Sequence, residues 1–456
     1  MKTYLSIIQI FLLFCLLLGC RQDGSDKPND IAVIDVINNL GNYQEIPVSE
    51  LVSELEYIPL EINDNCLIGA VRSMLVTPSH IFIQSYVGSG DMIMSNATRL
   101  YAFNRDGRFI CEIGRVGQGP GEYQNMQGFS VDEKKQLVYI ETWFSLLEYS
   151  FDGGFRRSIN KPPNTQNMNG RMIDNVRFVR DDIFIGYWPT INRSYIEAGK
   201  TGTGNERYTY HLFNSSGQMV KSFENSEKHE RGDNYQAGMY ENMSMKPFRV
   251  SDYIYVKELP NDTLYCLNEQ DELIPQFVFD LGKYTYSFEK RGRVAVYPHI
   301  PDMKDVLIIP FDATYPMVGT PNYIFFNVSG KDANAMKSNG IINRYSNGME
   351  GEMKSPFGFY DIANKRTRLL DTDPVSRMNG LINDMDGGLS FWPKCYSSGN
   401  ELADVWQAYE MKEILTEKYF AGHTIKNPQS HQKLKELLNN LDWEDNPVIV
   451  IAKLKK

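Results

Sequence analysis

A short apolar strand pattern recurs along the chain, at Ile81-Phe82-Ile83, Leu137-Val138-Tyr139-Ile140, Ile183-Phe184-Ile185, Tyr253-Ile254-Tyr255-Val256, Tyr323-Ile324-Phe325-Phe326 and Leu389-Ser390-Phe391-Trp392. A second pattern of the form LYxF(N/D) follows all but the last, beginning at Leu100, Leu146, Tyr210, Thr263 and Phe357. Each of these holds two β-rich runs around a turn of Asp, Asn, Gly, Ser or Lys, which predicts a hairpin. Residues ahead of each apolar strand supply one strand more, as Gly128 to Val131 do before the turn at 132–136. Four antiparallel strands repeated in six units predict an all-β fold, a six-bladed β-propeller.

The pattern changes near the end of the chain. Leu402, Val405, Trp406 and Tyr409 recur at helical spacing, as do Leu434, Leu437, Leu438 and Leu441. Amphipathic helices are therefore expected over 401–420 and 430–441, making 402–441 a helical insertion in the last blade. A β run returns at 446–455, and Val448 to Leu454 is expected as the third strand of that blade. Its fourth strand is expected from Leu55 to Ile62, which has no blade of its own. Pairing the two ends of the chain closes the ring and removes open sheet edges. The propeller is thus expected to span 41–456.

The first residues form a different object. Lys2 precedes an apolar stretch, Leu5 to Leu18, of signal-peptide length and too short for an ordinary membrane span. It ends in Leu17-Leu18-Gly19-Cys20, which resembles the bacterial lipobox. That resemblance implies cleavage before Cys20 and lipidation of its sulfur; a plain secretory signal is the alternative. Arg21 to Asp30 carries no apolar residue, and 21–40 is read as a tether. The expectation is a domain attached to a membrane of the cell envelope, the outer membrane first, through an N-terminal lipid.

Composition narrows the partners. The 456 residues carry a net charge of −10 with no Lys/Arg run, so nucleic acid is not expected as a partner. Beyond the leader, Cys66, Cys111, Cys266 and Cys395 lie far apart and lack zinc or redox spacing. Lying in or beside strand-like sequence, they read as small buried hydrophobes.

One corner is dense in glycine. In "GRVGQGPGEYQNMQGF", Gly117, Gly119, Pro120 and Gly121 precede the strand at 128–131. A phosphate loop would lead into a helix and usually carry Lys with Ser/Thr, whereas a strand follows here. The corner therefore reads as structural, joining the outer strand of one blade to the inner strand of the next. The stretch "IGRVGQGPGEYQNMQGFSVDEKKQLVYIET" resembles the NHL-type propeller repeat. With the lipobox, "INDMDGGLSFWP" at 382–393 and the ending "DNPVIVIAKLK", the chain is similar to the six-bladed β-propeller lipoproteins of Bacteroidetes. The resemblance implies the fold and the anchor and carries no catalytic residues.

In a propeller, the connections between second and third strands share a face with the glycine corner. That places Tyr86, Trp143, Trp188 and Trp392 on one face, enlarged by insertions at 188–207, 328–356 and 394–445. Aromatic walls suit a glycan, a peptide or a partner protein; the plainer alternative is that each ring packs under its own loop. A scaffold subunit of an outer-membrane complex would use the same face to dock protein.

Catalytic signatures are sparse. The sequence contains no H-E-x-x-H, G-x-S-x-G, Walker or dinucleotide motif, and His80, His211, His229, His299, His423 and His431 are scattered. No metal and no cofactor is expected. A lyase or hydrolase acting on extracellular carbohydrate or peptide would need His299, Asp384 and Asp386 to meet at the channel; the other reading is ordinary loop residues. The 384–388 stretch lacks the ligand alternation of a calcium loop and reads as a tight turn. The Arg231-Gly232-Asp233 triplet carries no information.

Overall fold

The computed structural model describes residues 31–86, 98–163, 172–187, 208–224, 247–258, 261–285, 317–328, 357–374 and 378–456. Cys20, Trp188, His229, His299 and the 231–233 triplet lie outside the described residues.

Six antiparallel sheets make the propeller. Blade one holds Val71–Val76, His80–Tyr86, Thr98–Asn104 and Phe109–Glu112, and blade two Gly128–Asp132, Leu137–Glu141, Ser145–Ser150 and Phe155–Asn160. Blade three holds Asp174–Arg180, Ile183–Tyr187, Tyr208–Asn214 and Met219–Glu224. Phe248–Val250, Tyr253–Lys257, Thr263–Leu267 and Leu273–Asp280 form blade four; Val318–Gly319, Tyr323–Asn327, Phe357–Asp361 and Arg366–Leu370 form blade five. Blade six joins the two ends of the chain, in the order Cys395–Ser397, Glu401–Trp406, Val448–Leu454 and Val52–Pro59.

The repeated Asn or Asp of the LYxF(N/D) pattern has a physical reason. Asn104 and Asn214 end a third strand and Asn268 directly follows one, and their Oδ1 atoms accept two backbone N–H groups of the following turn at 2.7–3.0 Å. Asp361 does the same for Asn364 at 3.0 Å. These side chains satisfy turn donors that the sheet cannot reach. Gly107 closes the first of these turns at φ +82, where a Cβ would stand 2.2 Å from the Pro59 carbonyl oxygen. Only glycine lets this turn lie against the outer strand of blade six.

Aromatic contacts join neighbouring blades. Phe82 meets Phe151 at 4.9 Å between ring centroids, Tyr139 stacks on Phe178 at 5.5 Å, and Phe279 meets Phe326 edge-on at 5.2 Å. Each buried ring of this kind contributes roughly 1.5–3 kcal/mol, so the wedge between two blades is a core in its own right. Cys66, Cys111, Cys266 and Cys395 are free thiols in this packing.

Two expectations need correction. Residues 31–40 are not tether: Ala32–Asp35 pairs in parallel with Leu273–Asp280 as a fifth strand on blade four, and Ile34 and Val36 are fully buried. Tyr43–Gln44 then pairs in parallel with Arg366–Leu370 on blade five. Val48 donates its N–H to the Ile382 carbonyl at 2.7 Å before the chain enters blade six. The nearly continuous apolar run Ile31-Ala32-Val33-Ile34-Asp35-Val36 supports this belt, where Arg21 to Asp30 offers nothing to bury.

The second correction concerns blade six. Leu402, Val405 and Trp406 lie on a strand, Glu401–Trp406, and Leu389–Trp392 is not the second strand of the blade. The helices begin later, at Ala408–Ile414, Glu417–Ala421 and Pro428–Asn440. Gln407, Thr416 and Asn427 mark the three starts, with the Thr416 and Asn427 side chains accepting the Tyr419 and Ser430 N–H groups. Lys412 reaches the Leu438 carbonyl at 3.2 Å and also caps Leu441, tying the first helix to the end of the third. Among the described residues no helix is long and apolar enough to cross a membrane.

Candidate functional site

Strand direction gives the propeller two unlike faces. First-to-second and third-to-fourth turns are short and share one face. The opposite face carries the second-to-third connections, the links between blades and the three helices, all placed there by the antiparallel order.

On this loop face the glycine corner is occupied by its own chain. Arg115–Val116 pairs in parallel with Glu122–Tyr123, and the Gly119 N–H donates to the Glu122 carboxylate at 2.8 Å. A Cβ at Gly117 would stand 2.1 Å from that carboxylate, so Gly117 makes room for an internal anion. Gly121, at φ +74, lies against Phe155, and its carbonyl accepts the Tyr149 hydroxyl of blade two. The corner's polar backbone is thus spent on fastening blade one to blade two.

Several second strands carry a buried polar residue at or next to their end at this face: Ser85, Glu141, Lys257 and Asn327. Glu141 accepts from Lys161 Nζ at 3.1 Å and from the Val176 N–H of blade three at 3.0 Å. Burial pushes the Glu141 carboxyl up to about 7 despite the Lys161 ammonium beside it. Burial brings Lys257 down to about 8 against the pull of Asp262 and Glu258. In blade one, the Arg72 guanidinium lies 5.8 Å from the centroid of the Tyr86 ring and donates to the Met126 carbonyl at 3.3 Å.

Of the four aromatic positions singled out by the sequence, the three that are described do not share one environment. Trp143 is 57% exposed, and its neighbour Phe144 is 66% exposed. Tyr86 is half-buried under Arg72. Trp392 is a correction: it is 3% exposed and packs against Phe357 and Phe325, at 4.6 and 5.5 Å between centroids. Its segment bridges back through Leu381 and Phe391 and fills the space under the helices, so it cannot touch a ligand.

The helical insertion supplies exposed rings that sequence spacing missed, Tyr409 at 49% and Trp443 at 55%. Both ends of the insertion are fixed to the link between blades six and one. Gln407 Nε2 donates to the Gly69 carbonyl at 3.3 Å, while Asn446 accepts the Ile68 N–H at 2.8 Å and donates to the Cys66 carbonyl at 2.9 Å. Leu67, 63% exposed, lies on that link. Three separate connections, on blades six, one and two, thus present large apolar groups on one face. A cleft of about 570 Å³ between Tyr210, Phe223, Tyr265 and Leu273 belongs to the groove between blades three and four.

Asp384 and Asp386 hold the insertion to the blade rather than line the channel. Asp384 accepts the Ser49 N–H at 3.0 Å and hydroxyl at 2.6 Å, and pairs with Lys426 at 2.6 Å. Asp386 Oδ1 accepts from Tyr57 at 2.9 Å, Asn383 at 2.8 Å and the Gly388 N–H at 2.9 Å. His431 Nδ1 lies 2.7 Å from the Asp386 carbonyl. Among the described residues, no three His, Cys, Asp or Glu side chains gather as a metal site.

His423 completes the clasp. Its Nδ1 lies 2.9 Å from the Tyr419 carbonyl and its Nε2 3.1 Å from the Asp373 carboxylate, so both nitrogens face acceptors, an arrangement that favours the doubly protonated ring. Burial alone would lower its pKa, but Asp373 and the Tyr419 carbonyl outweigh that and hold it above the ordinary value. A raised folded-state pKa gives stability that is complete below the unfolded value, about 6.5, and is lost as pH rises through the folded one. The Tm advantage of the parent over His423→Gln is therefore expected to shrink as pH rises above about 6.5. A constant difference across thermal melts would contradict a charged His423.

The model of the family described as a domain of unknown function, DUF4934, matches residues 31–453, a span that begins at the belt strand. Among solved structures, a Bacteroides fragilis protein described as exported is 17% identical, with 93% of this chain and 100% of that chain covered and a TM-score of 0.61. A DUF4221 family member from Bacteroides vulgatus is 9% identical over 89% of this chain and 97% of its own, with a TM-score of 0.44. Virginiamycin B lyase from Staphylococcus aureus is 9% identical over 70% of this chain and 89% of its own, with a TM-score of 0.32. The first likeness shows the propeller fold, and the other two carry no argument. No curated protein matches the chain.

Proposed function

The chain belongs to the DUF4934 family, and from that premise we propose that it is a non-catalytic binding module, held outside the cytoplasm by a lipid on Cys20, whose loop face takes a glycan, a peptide or a partner protein. The observation that carries this reading is the exposure of Trp143, Phe144, Tyr409 and Trp443 on connections of blades two and six, with Leu67 on the link between blades six and one. Fully burying such side chains would contribute roughly 1.5–3 kcal/mol each, which the monomer forgoes. Apolar groups left out in this way on one face are the usual material of an interaction surface, and Trp and Tyr are its strongest contributors. The propeller supplies the rigidity, since each connection is fixed at both ends by a strand.

Tryptophan emission tests the reading, because Trp143 and Trp443 are exposed while Trp392 and Trp406 are buried. Titration of the mature chain with panels of glycans and peptides is expected to give a saturable blue shift for the true ligand. Trp143→Ala and Trp443→Ala should each weaken binding by about tenfold or more, the loss of one strong contact residue. Parental affinity in both variants, with circular dichroism unchanged, would remove the face from the mechanism.

A further inference from the structure

We propose that the rim of blade four, on its short-turn side, faces the membrane, and that the aromatic surface over blades six, one and two is held on the far side of the ring. This rests on the lipid anchor at Cys20. The orientation follows from where the chain enters the fold.

Ala32–Asp35 is the outermost strand of blade four, with Ala32 opposite Phe277 and Asp35 opposite Asp280. Its partner, Leu273–Asp280, rises from the short turn at 268–272 toward the loop face. The pairing is parallel, so Ala32–Asp35 rises with it, and the chain ahead of Ile31 comes from the short-turn side. The strand is locked, because Ile34 and Val36 are fully buried and the Val36 N–H donates to the Asp280 carbonyl at 3.2 Å.

Ten residues, 21–30, separate Cys20 from Ile31, the residue ahead of this strand. Fully extended they reach at most about 33–36 Å. A domain of this length has a radius of gyration of about 22 Å, so the ring, at least about twice that across, is wider than the tether's full reach. An acyl chain on Cys20 therefore keeps blade four beside the bilayer. In a ring of six, blade one lies opposite blade four. Leu67, Trp143, Phe144, Tyr409 and Trp443 all belong to blade one's link or to the two blades flanking it.

The rim beside the strand suits this placement, with Ile31 and Val33 exposed and Met219 and Val220 exposed on the outer strand of blade three. Ile110 and Phe155 are exposed on the rims of blades one and two as well. Side chains alone thus do not select a rim, and the chain's point of entry does.

The test uses the mature full chain in phosphatidylethanolamine/phosphatidylglycerol vesicles that carry a headgroup energy acceptor. A thiol-reactive dye is placed by Val220→Cys, Ile110→Cys or Phe144→Cys. Burial pushes the Cys66 and Cys395 thiols up to about 12 and that of Cys111 up to about 11, and raises Cys266 as well, so the introduced thiol is labelled first. Transfer at Val220→Cys is expected to exceed that at Ile110→Cys and Phe144→Cys by about twofold or more, given the width of the ring. Equal transfer, or a maximum at either of the other two positions, overturns the orientation. Intact mass and vesicle retention are read on the same samples: an acylated, retained protein with the wrong pattern refutes the orientation alone. A protein without acyl mass refutes the anchor and the orientation together.

Discussion

A chain ending at Asn446 is expected to show no cooperative unfolding transition and no protease-resistant core. The missing residues include Val448–Leu454, which pairs on one side with Glu401–Trp406 and on the other with Val52–Pro59. Val448, Ile449, Val450, Ile451 and Leu454 are all buried. At roughly 1.5–3 kcal/mol for each side chain, their loss removes roughly 7–15 kcal/mol, which is the entire stability of an ordinary domain. Two neighbouring strands are also left as open edges, and Val52–Pro59 no longer holds the belt that crosses blades four and five. A chain ending at Leu454 serves as the control, since it gives up only the Lys455 contacts to Leu51 and Ser49. A thermal transition near the parental Tm in the shorter chain would show that the ring closes without its terminal strand.

That strand was legible in the sequence, along with its pairing to the N-terminal run, because an isolated apolar β segment at each end of a repeat protein has few other places to go. Glu401–Trp406 was not. Leu402 to Trp406 are buried without exception, so the strand lacks the alternation that marks a half-exposed one, and its apolar positions also fit helical spacing. Misplacing it moved Trp392 to the end of a second strand, a place that Trp406 holds in the structure. Asp404 bears on the error, since a buried carboxylate that accepts the Trp392 N–H at 3.1 Å sits in the middle of this run. The parallel additions of 32–35 and 43–44 left a weaker trace, because a parallel pairing has no connecting turn to announce it. On the candidate face, Trp143 could be placed from the repeat. Tyr409 and Trp443 could not, because which side of a short helix stays exposed depends on how it docks, and docking here is set by distant residues such as Gly69 and Cys66.

Replacing Lys161 with Met is expected to cost little at neutral pH and up to about 1.4 kcal/mol for each pH unit above the value at which Glu141 ionises, because one member of a buried ion pair is left alone. Lys161 and Glu141 are 1% and 2% exposed at the side chain and meet at 3.1 Å. The second carboxylate oxygen takes the Val176 N–H from the inner strand of blade three, so the pair also fastens blades two and three beneath the candidate face. Burial already raises Glu141 to about 7 with the ammonium present; without it the folded-state pKa climbs further. A carboxyl raised in this way takes up a proton on folding, so its contribution is most favourable below the unfolded value, about 4.3, and is lost as pH rises through the folded value. The stability deficit of Lys161→Met relative to the parent should therefore be small near pH 5 and reach about 1.4 kcal/mol near pH 8, about one unit above the value at which Glu141 ionises in the parent. Urea unfolding at the two pH values measures it. Adding Glu141→Gln removes the stranded charge, and the double variant should recover most of the loss at the higher pH and show little dependence on pH. A deficit that is the same at both pH values, or that the second substitution leaves in place, would mean that Lys161 stabilises this junction through the packing of its methylenes and not through its charge.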